Sequence, residues 1–156
     1  MPFYYPNKMN DFWRVMGIIF RNGNRDALWD SHLQRFDLDA IKALLDQESI
    51  ALWDTGMAVR RLKDNASDKF LEIVEPIDLS TLLDHHPTLS TVITTGEKAT
   101  GVVAAQAGIE VPAIGNPVKC CIGSHHITLW RMPSTSRAYP LALEKKAAAY
   151  RMVFGR

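Results

Sequence analysis

Hydrophobic residues recur at intervals of three and four in the first part of the chain, which is the spacing of an amphipathic helix. We predict one helix that begins at Asn10 or Asp11, either of which can cap it, and ends at the polar segment 21–24. A second helix is predicted over residues 37–48, with Asp37 as its cap. The supporting apolar positions are Phe12, Trp13, Val15, Met16, Ile19 and Phe20 in the first helix, and Leu38, Ile41, Leu44 and Leu45 in the second.

Short runs rich in β-branched and apolar residues predict strands in the second half of the chain. Residues 90–96 end at a glycine, and the helix-like stretch that follows them ends at Gly108. A strand, a glycine and a helix in this order are typical of a βα unit. Residues 118–123 and 126–133 predict two more strands around a turn at Gly123–Ser124.

Four further segments have a weaker pattern. Residues 49–54 form a short apolar run and predict a buried strand, whereas residues 55–70 are polar and basic and predict a long loop that enters a helix near Ser67. Residues 78–86 predict a short helix that a proline ends. Residues 141–154 are rich in strong helix formers and predict a terminal helix.

Helices that alternate with short buried strands predict an α/β fold, with three layers (α/β/α) around a short, mainly parallel sheet. A chain of 156 residues suits one domain, and we expect a single domain over residues 1–156. Parallel sheets bind ligands at the carboxyl ends of their strands. The loops after Asp54, Thr95 and Met132 are therefore expected to share one rim.

Composition excludes some classes without selecting one. With 18 basic and 17 acidic side chains the net charge is +1, so a nucleic-acid-binding role has to depend on a local patch. The chain has no N-terminal signal pattern and no apolar run near the ~20 residues of a membrane span, so we expect a cytoplasmic protein without a membrane partner. The two cysteines, Cys120 and Cys121, are adjacent and are expected to be reduced thiols on opposite sides of a strand.

One loop has the residue types of a phosphate-binding segment. Ser134, Thr135 and Ser136 follow a predicted strand and precede Arg137. Hydroxyl groups, loop amides and an arginine can hold phosphate oxygens without reading a base sequence. Taken alone, however, the segment is explained more simply by a polar turn in front of the last helix.

The other candidates also have ordinary explanations. Arg60, Arg61 and Lys63 form a small basic patch, which is more simply explained as part of a solvated loop. Asp54 ends a predicted strand, where a carboxylate acts either as a base or as a cap of the next turn. The histidine pairs 85–86 and 125–126 lack the spacing and the companion ligands of a metal site, so we expect none.

The order of the motifs is more specific than any one of them. Tyr5 lies five residues before Asn10, which is followed by x-Phe-Trp at 11–13, and Pro-Ser-Thr-Ser occupies 133–136. With the weaker motifs "LWD" and "TTG" between them, this arrangement resembles the uracil-DNA glycosylase superfamily over almost the whole chain. The nearest branch is that of the hypoxanthine and mismatch-specific DNA glycosylases.

The resemblance implies a monofunctional DNA glycosylase of base excision repair, a hydrolase that cuts the N-glycosidic bond of uracil or hypoxanthine. It implies DNA with a damaged base as the partner and no metal or organic cofactor. Tyr5 and Asn7 would bind the flipped base, and Asn10 would orient the attacking water. The residues that would contact the DNA backbone are Ser134, Thr135, Ser136, Arg137, Arg60 and Arg61.

The chain departs from the family pattern at its beginning. The family has a central strand and a Gly-x-x-Pro loop before the segment that corresponds to Tyr5–Asn10, and neither is present here. We expect a chain that is truncated at its N-terminus. The alternatives are a sheet that folds without the first strand and a strand that is supplied through a homo-oligomer.

Two other functions remain open from the sequence. A non-catalytic relative would keep the DNA contacts and bind nucleic acid without cutting it. A hydrolase of free nucleosides or nucleotides would not need Arg60, Arg61 or Arg137, and a net charge near zero is compatible with it.

Overall fold

A computed structural model describes residues 9–52, 56–61, 71–76 and 78–154, with the backbone alone for 56–61 and 71–76. The chain forms two compact units. The first unit combines Met1–Trp53 with Thr135–Arg156, and the second unit is Asp54–Ser134. The expectation of one domain over the whole chain stays a prediction.

The elements follow one another as helices and short strands. In chain order they are α1 (Phe12–Phe20), β1 (Trp29–Asp30), β2 (Arg35–Phe36), α2 (Leu38–Glu48), β3 (Gly56–Arg61), β4 (Leu71–Pro76), α3 (Leu79–His85), β5 (Thr91–Thr95), α4 (Glu97–Ala107), β6 (Val118–Ile122), β7 (His125–Met132) and α5 (Leu143–Phe154). This composition confirms the predicted α/β class. No helix in the described part of the chain is long and apolar enough to span a membrane.

The first unit is built around the contact between α1 and α5. Trp13, Val15 and Met16 of α1 are buried, as is Tyr150 of α5, and the ring of Phe12 meets that of Tyr150 edge to face at 6.4 Å. The apolar spacing that predicts α1 thus marks the face that packs. The α2 helix begins as predicted, because the Asp37 carboxylate accepts a hydrogen bond from the Ala40 amide.

The second unit contains a three-stranded mixed sheet in the order β5–β7–β6. β5 is parallel to β7, and β6 forms the antiparallel hairpin with β7 that the turn at Gly123 predicts. The predicted βα unit is confirmed, since β5 leads through Gly96 into α4, which ends at Gly108 in the left-handed conformation. One face of the sheet forms a core with α3 and α4, through Leu79, Leu83, Val103, Ile122, Ile127 and Leu129.

The predictions for 49–54 and 55–70 were wrong where the structure describes these residues. Residues 50–52 form no strand, because the Ile50 amide bonds back to the Leu45 carbonyl at 3.0 Å and closes the end of α2. The strand β3 runs through the expected loop and pairs with β4 in an antiparallel hairpin, with Val59 opposite Ile73. Both segments contain β-branched residues, which favour a strand, and they pair although the basic side chains of β3 are typical of a loop. Asp54 and Ser67 lie outside the described residues.

Candidate functional site

The segment around Asn10 and the loop around Ser136 are joined through their backbones. Asn10 and Ser136 form an antiparallel bridge. The Asp11 amide donates to the Thr135 carbonyl at 2.7 Å, and the Arg137 amide donates to the Met9 carbonyl at 3.0 Å. Residues more than a hundred positions apart in the chain are therefore neighbours in the first unit, and they belong to the two most specific motifs of the sequence.

Asn10 is held in place by the start of α1. Its Oδ1 atom accepts a hydrogen bond from the Phe12 amide at 2.9 Å, and its carbonyl accepts one from the Arg14 guanidinium at 3.2 Å. The first bond satisfies one of the backbone donors that a helix leaves unpaired at its beginning. Because the amide oxygen has this role, the group that Asn10 would offer to a ligand is its Nδ2 donor.

The carboxylate of Asp11 is buried next to the backbone bridge between Asn10 and Ser136. The side chain of Asp11 is only 8% exposed and is approached by three cationic groups. Its oxygens lie 3.2 Å from Lys146 Nζ, 3.1 Å from Arg137 Nε and 3.6 Å from an Arg14 nitrogen. Asp11 stands at the cap position of α1 but makes no side-chain capping bond. Its carboxylate forms ion pairs with the three cationic side chains instead.

Lys146 connects the last helix to the loop. Its side chain is 1% exposed, and its Nζ donates both to Asp11 Oδ2 and to the Ser136 carbonyl at 3.1 Å. A buried ammonium group is tolerated only with such partners. The contact therefore ties α5 to the backbone of Ser136 and to Asp11 at the same time.

Arg14 is enclosed between aromatic rings and the same carboxylate. Its guanidinium carbon lies 5.4 Å from the centre of the Phe36 ring and 5.8 Å from that of the Trp29 ring. Burial lowers the pKa of Arg14 below its ordinary value, and the nearby Arg137 lowers it further, while Asp11 acts in the opposite direction. Arginine nevertheless keeps its charge at neutral pH, and it stacks well on aromatic faces.

Residues 134–137 differ in how far their side chains are exposed and in which atoms form hydrogen bonds. Thr135 is buried with 2% exposure, and its carbonyl accepts the hydrogen bond from the Asp11 amide. Thr135 therefore contributes to the site through its backbone. Ser136 Oγ accepts a hydrogen bond from the Ala138 amide at 3.2 Å, which shapes the turn that follows. The side chain of Arg137 is 43% exposed and reaches solvent while its Nε holds Asp11. Ser134 is partly buried and ends the second unit.

The remaining predicted site residues have no described side chains. Tyr5 and Asn7 lie outside the described residues. Arg60 and Arg61 belong to β3, for which only the backbone is described. The structure thus brings together Asn10, Thr135, Ser136 and Arg137, and it leaves the proposed base-binding residues as predictions.

No family model, no curated protein and no solved structure matches the chain. The likeness to the uracil-DNA glycosylase superfamily therefore remains a hypothesis based on the motifs. Among the described residues, no group of three or more His, Cys, Asp or Glu side chains is arranged to hold a metal ion.

Sequence reasoning missed Arg14 and Lys146, and it considered Asp11 only as a helix cap. A signal for Lys146 was present, because it shares a helical face with Leu143, Ala147 and Tyr150, all of which are buried. A lysine on the apolar face of an amphipathic helix needs a buried partner. The identity of that partner, however, could not be read from the sequence.

Proposed function

We propose that the protein is a DNA glycosylase of base excision repair that hydrolyses the N-glycosidic bond of a deaminated base, uracil or hypoxanthine. The observation that carries this proposal is the backbone bridge between Asn10 and Ser136. A glycosylase of this kind needs a water-orienting group and a phosphate-contacting loop close to each other. The bridge supports the proposal by holding Asn10 next to residues 135–137.

The chemistry requires that the base leave the duplex first. Flipping a base costs a few kcal/mol of unstacking, and an aromatic face recovers on the order of 1–3 kcal/mol. In the proposed mechanism Tyr5 supplies that face and Asn7 a polar contact. Breaking the bond builds positive charge on the sugar and negative charge on the base, so donors placed in advance lower the barrier.

Asn10 is the proposed catalytic residue. An amide is a poor base, so its proposed role is to orient the attacking water or to hydrogen-bond the base or sugar through Nδ2. The bond from the Phe12 amide to Asn10 Oδ1 restricts the rotamer of this side chain. A restricted donor loses less entropy when it binds a water or a base.

The charge next to Asn10 supports a polyanionic ligand. Three cationic side chains surround the single carboxylate of Asp11, so positive charge is in excess beside the bridge. In the first unit the proposed backbone contacts are made by Arg137 together with Thr135 and Ser136. Ser134, Arg60 and Arg61 are the proposed DNA contacts of the second unit. In the proposed order of events, the loop first holds the phosphates and then fills the space that the flipped base leaves.

A cleavage assay tests the proposal directly. Labelled duplex and single-stranded oligonucleotides that contain uracil, hypoxanthine or a thymine mismatch are incubated with the protein and then treated with alkali. We expect strand breaks at uracil or hypoxanthine with the unmodified chain. With Asn10→Ala we expect the rate to fall by about a hundredfold or more, within the range that a positioned polar group contributes.

The control is Asn116→Ala, which changes an exposed asparagine of the second unit and is expected to cut at the original rate. Because Asn10→Ala also removes the acceptor of the Phe12 amide, its melting temperature is measured alongside. Binding of damaged DNA without any alkali-labile product would replace the enzyme with a non-catalytic DNA-binding relative. Cutting that survives Asn10→Ala would remove Asn10 from the mechanism.

A further inference from the structure

The hairpin of β6 and β7 carries a cysteine and a histidine in direct contact. Cys121 and His126 are cross-strand partners in the register of this hairpin. The Sγ atom of Cys121 lies 3.1 Å from Nδ1 of His126, and both side chains are exposed. A thiol beside an imidazole, open to solvent, has the two groups that nucleophilic sulfur chemistry requires.

The neighbouring cysteine lies in the opposite environment. Successive side chains of a strand point to opposite faces, and Cys120 packs against the core of the second unit. Burial raises the pKa of the Cys120 thiol, and the adjacent Cys121 raises it further. The hairpin therefore holds one thiol that is kept protonated and one that faces a base.

The charged and titratable groups around Cys121 have separate roles. The neighbouring His125 contacts the Asp84 carboxylate of α3 at 2.6 Å, so the carboxylate is paired with His125 rather than with His126. Lys119 lies two residues before Cys121 on the same strand and is exposed, with Thr128 opposite it.

We propose that Cys121 is a site of reversible modification by low-molecular-weight disulfides, with His126 as the base. In the reaction, His126 Nδ1 accepts the thiol proton, and the sulfur anion of Cys121 attacks one sulfur of the disulfide. The bond between Cys121 and that sulfur forms while the original S–S bond breaks. The departing sulfur then takes the proton from His126, so one protein thiol and one disulfide give one mixed disulfide and one thiol.

The modification is expected to stop at the mixed disulfide. Its further conversion needs a second thiol on the same face, and the other cysteine of the chain is Cys120, which packs on the opposite face. Reversal therefore requires an external thiol. The proposal concerns the second unit and does not depend on the proposed glycosylase activity.

Oxidised glutathione at pH 7 is the probe, and the mass of the intact protein is the readout. The Cys120→Ser variant, which keeps Cys121, is expected to gain one glutathionyl group and to lose it with a reducing thiol. The Cys121→Ser variant, which keeps Cys120, is expected to gain none in the same time. An unassisted thiol is only a few per cent ionised at pH 7, so assistance by His126 is expected to accelerate the reaction on the order of tenfold.

His126 and His125 form a matched pair for the base. In the Cys120→Ser background, His126→Gln is expected to remove the acceleration, whereas His125→Gln is expected to preserve it. The proposal is overturned if both variants react like their parent. It is also overturned if Cys121 in the folded chain reacts no faster than in the urea-unfolded chain, a comparison that needs no histidine variant to fold.

Discussion

The side chain of Lys146 lies in the interior of the first unit, where its Nζ atom has two partners. One is the Asp11 carboxylate and the other is the Ser136 carbonyl. If one partner of a buried ion pair is removed, the other charge stays buried without its counter-charge. The resulting loss of stability exceeds the net stabilisation that the intact pair provides. The residue is therefore expected to stabilise both the end of the loop and the beginning of α1.

We predict that Lys146→Met lowers the free energy of unfolding by about 2–3 kcal/mol, because Asp11 then loses a buried charged partner while Arg14 and Arg137 still compensate part of its charge. Lys145→Met is the matched control, since Lys145 is exposed on the same helix. It is expected to stay within about 0.5 kcal/mol of the original chain. Urea unfolding measures both, and equal losses would contradict the assigned role of Lys146.

The residues of the candidate site were partly predictable. Asn10, Ser136 and Arg137 were found from their motifs, and the structure places them together. Lys146 was not found, because a buried ion pair is made of residues distant in the chain, and no local pattern records which carboxylate will meet a given lysine. The position of a residue on a helical face indicates burial, but it does not name the partner.

Two glycines inside helices illustrate how packing changes the effect of a local preference. A Cβ atom at Gly17 of α1 would lie 2.5 Å from the backbone oxygen of Asn24. A Cβ atom at Gly101 of α4 would meet nothing within 4 Å. Glycine is less favourable than alanine by about 1 kcal/mol in a helix, so only close packing justifies it at position 17.

We therefore predict opposite signs for the same substitution. Gly17→Ala is expected to destabilise the protein by about 1–3 kcal/mol, because a backbone oxygen cannot move aside as a flexible side chain does. Gly101→Ala is expected to stabilise it by about 0.4–1 kcal/mol through the helix preference alone. Thermal unfolding of the two variants measures the difference. A stabilising Gly17→Ala would mean that the loop at Asn24 lies farther from α1.

At the scale of elements, prediction succeeded where a single segment of the chain contained the whole signal for its structure. The α1 helix has periodic apolar residues, and the βα unit from β5 to α4 has a β-branched run followed by a glycine at each end of the helix. The hairpin β3–β4 was missed, because β3 carries two arginines and β4 two glutamates, and charged residues are equally typical of a loop. Strand pairing joins two segments, so neither segment alone contains the whole signal.

At the scale of the whole molecule, the net charge of +1 conceals an uneven distribution. Arg14, Arg137 and Lys146 surround one carboxylate in the first unit. A protein that releases counterions from DNA loses affinity as salt rises, in proportion to the number of phosphates it contacts. A local cluster can produce this behaviour even when the total charge is close to zero.

Under the proposed glycosylase function, we predict that DNA binding weakens with salt and that Arg137→Gln reduces the slope of log affinity against log salt by about one. Arg35→Gln is the matched control, because Arg35 is an exposed arginine on β2, outside the cluster. Fluorescence anisotropy of a labelled oligonucleotide over a range of salt concentrations gives both slopes. If the two variants have the same slope as the original chain, Arg137 makes no phosphate contact.

The sequence by itself determined the α/β class, the amphipathic helix α1, the Asp37 cap of α2, the βα unit and the opposite environments of Cys120 and Cys121. Each of these follows from local periodicity, from a capping side chain or from the alternation of a strand. The tertiary structure decided that Asn10 meets Ser136, that Lys146 is buried against Asp11, and that Cys121 faces His126. Such contacts depend on how distant segments pack, and a local pattern constrains burial but not the partner that burial brings.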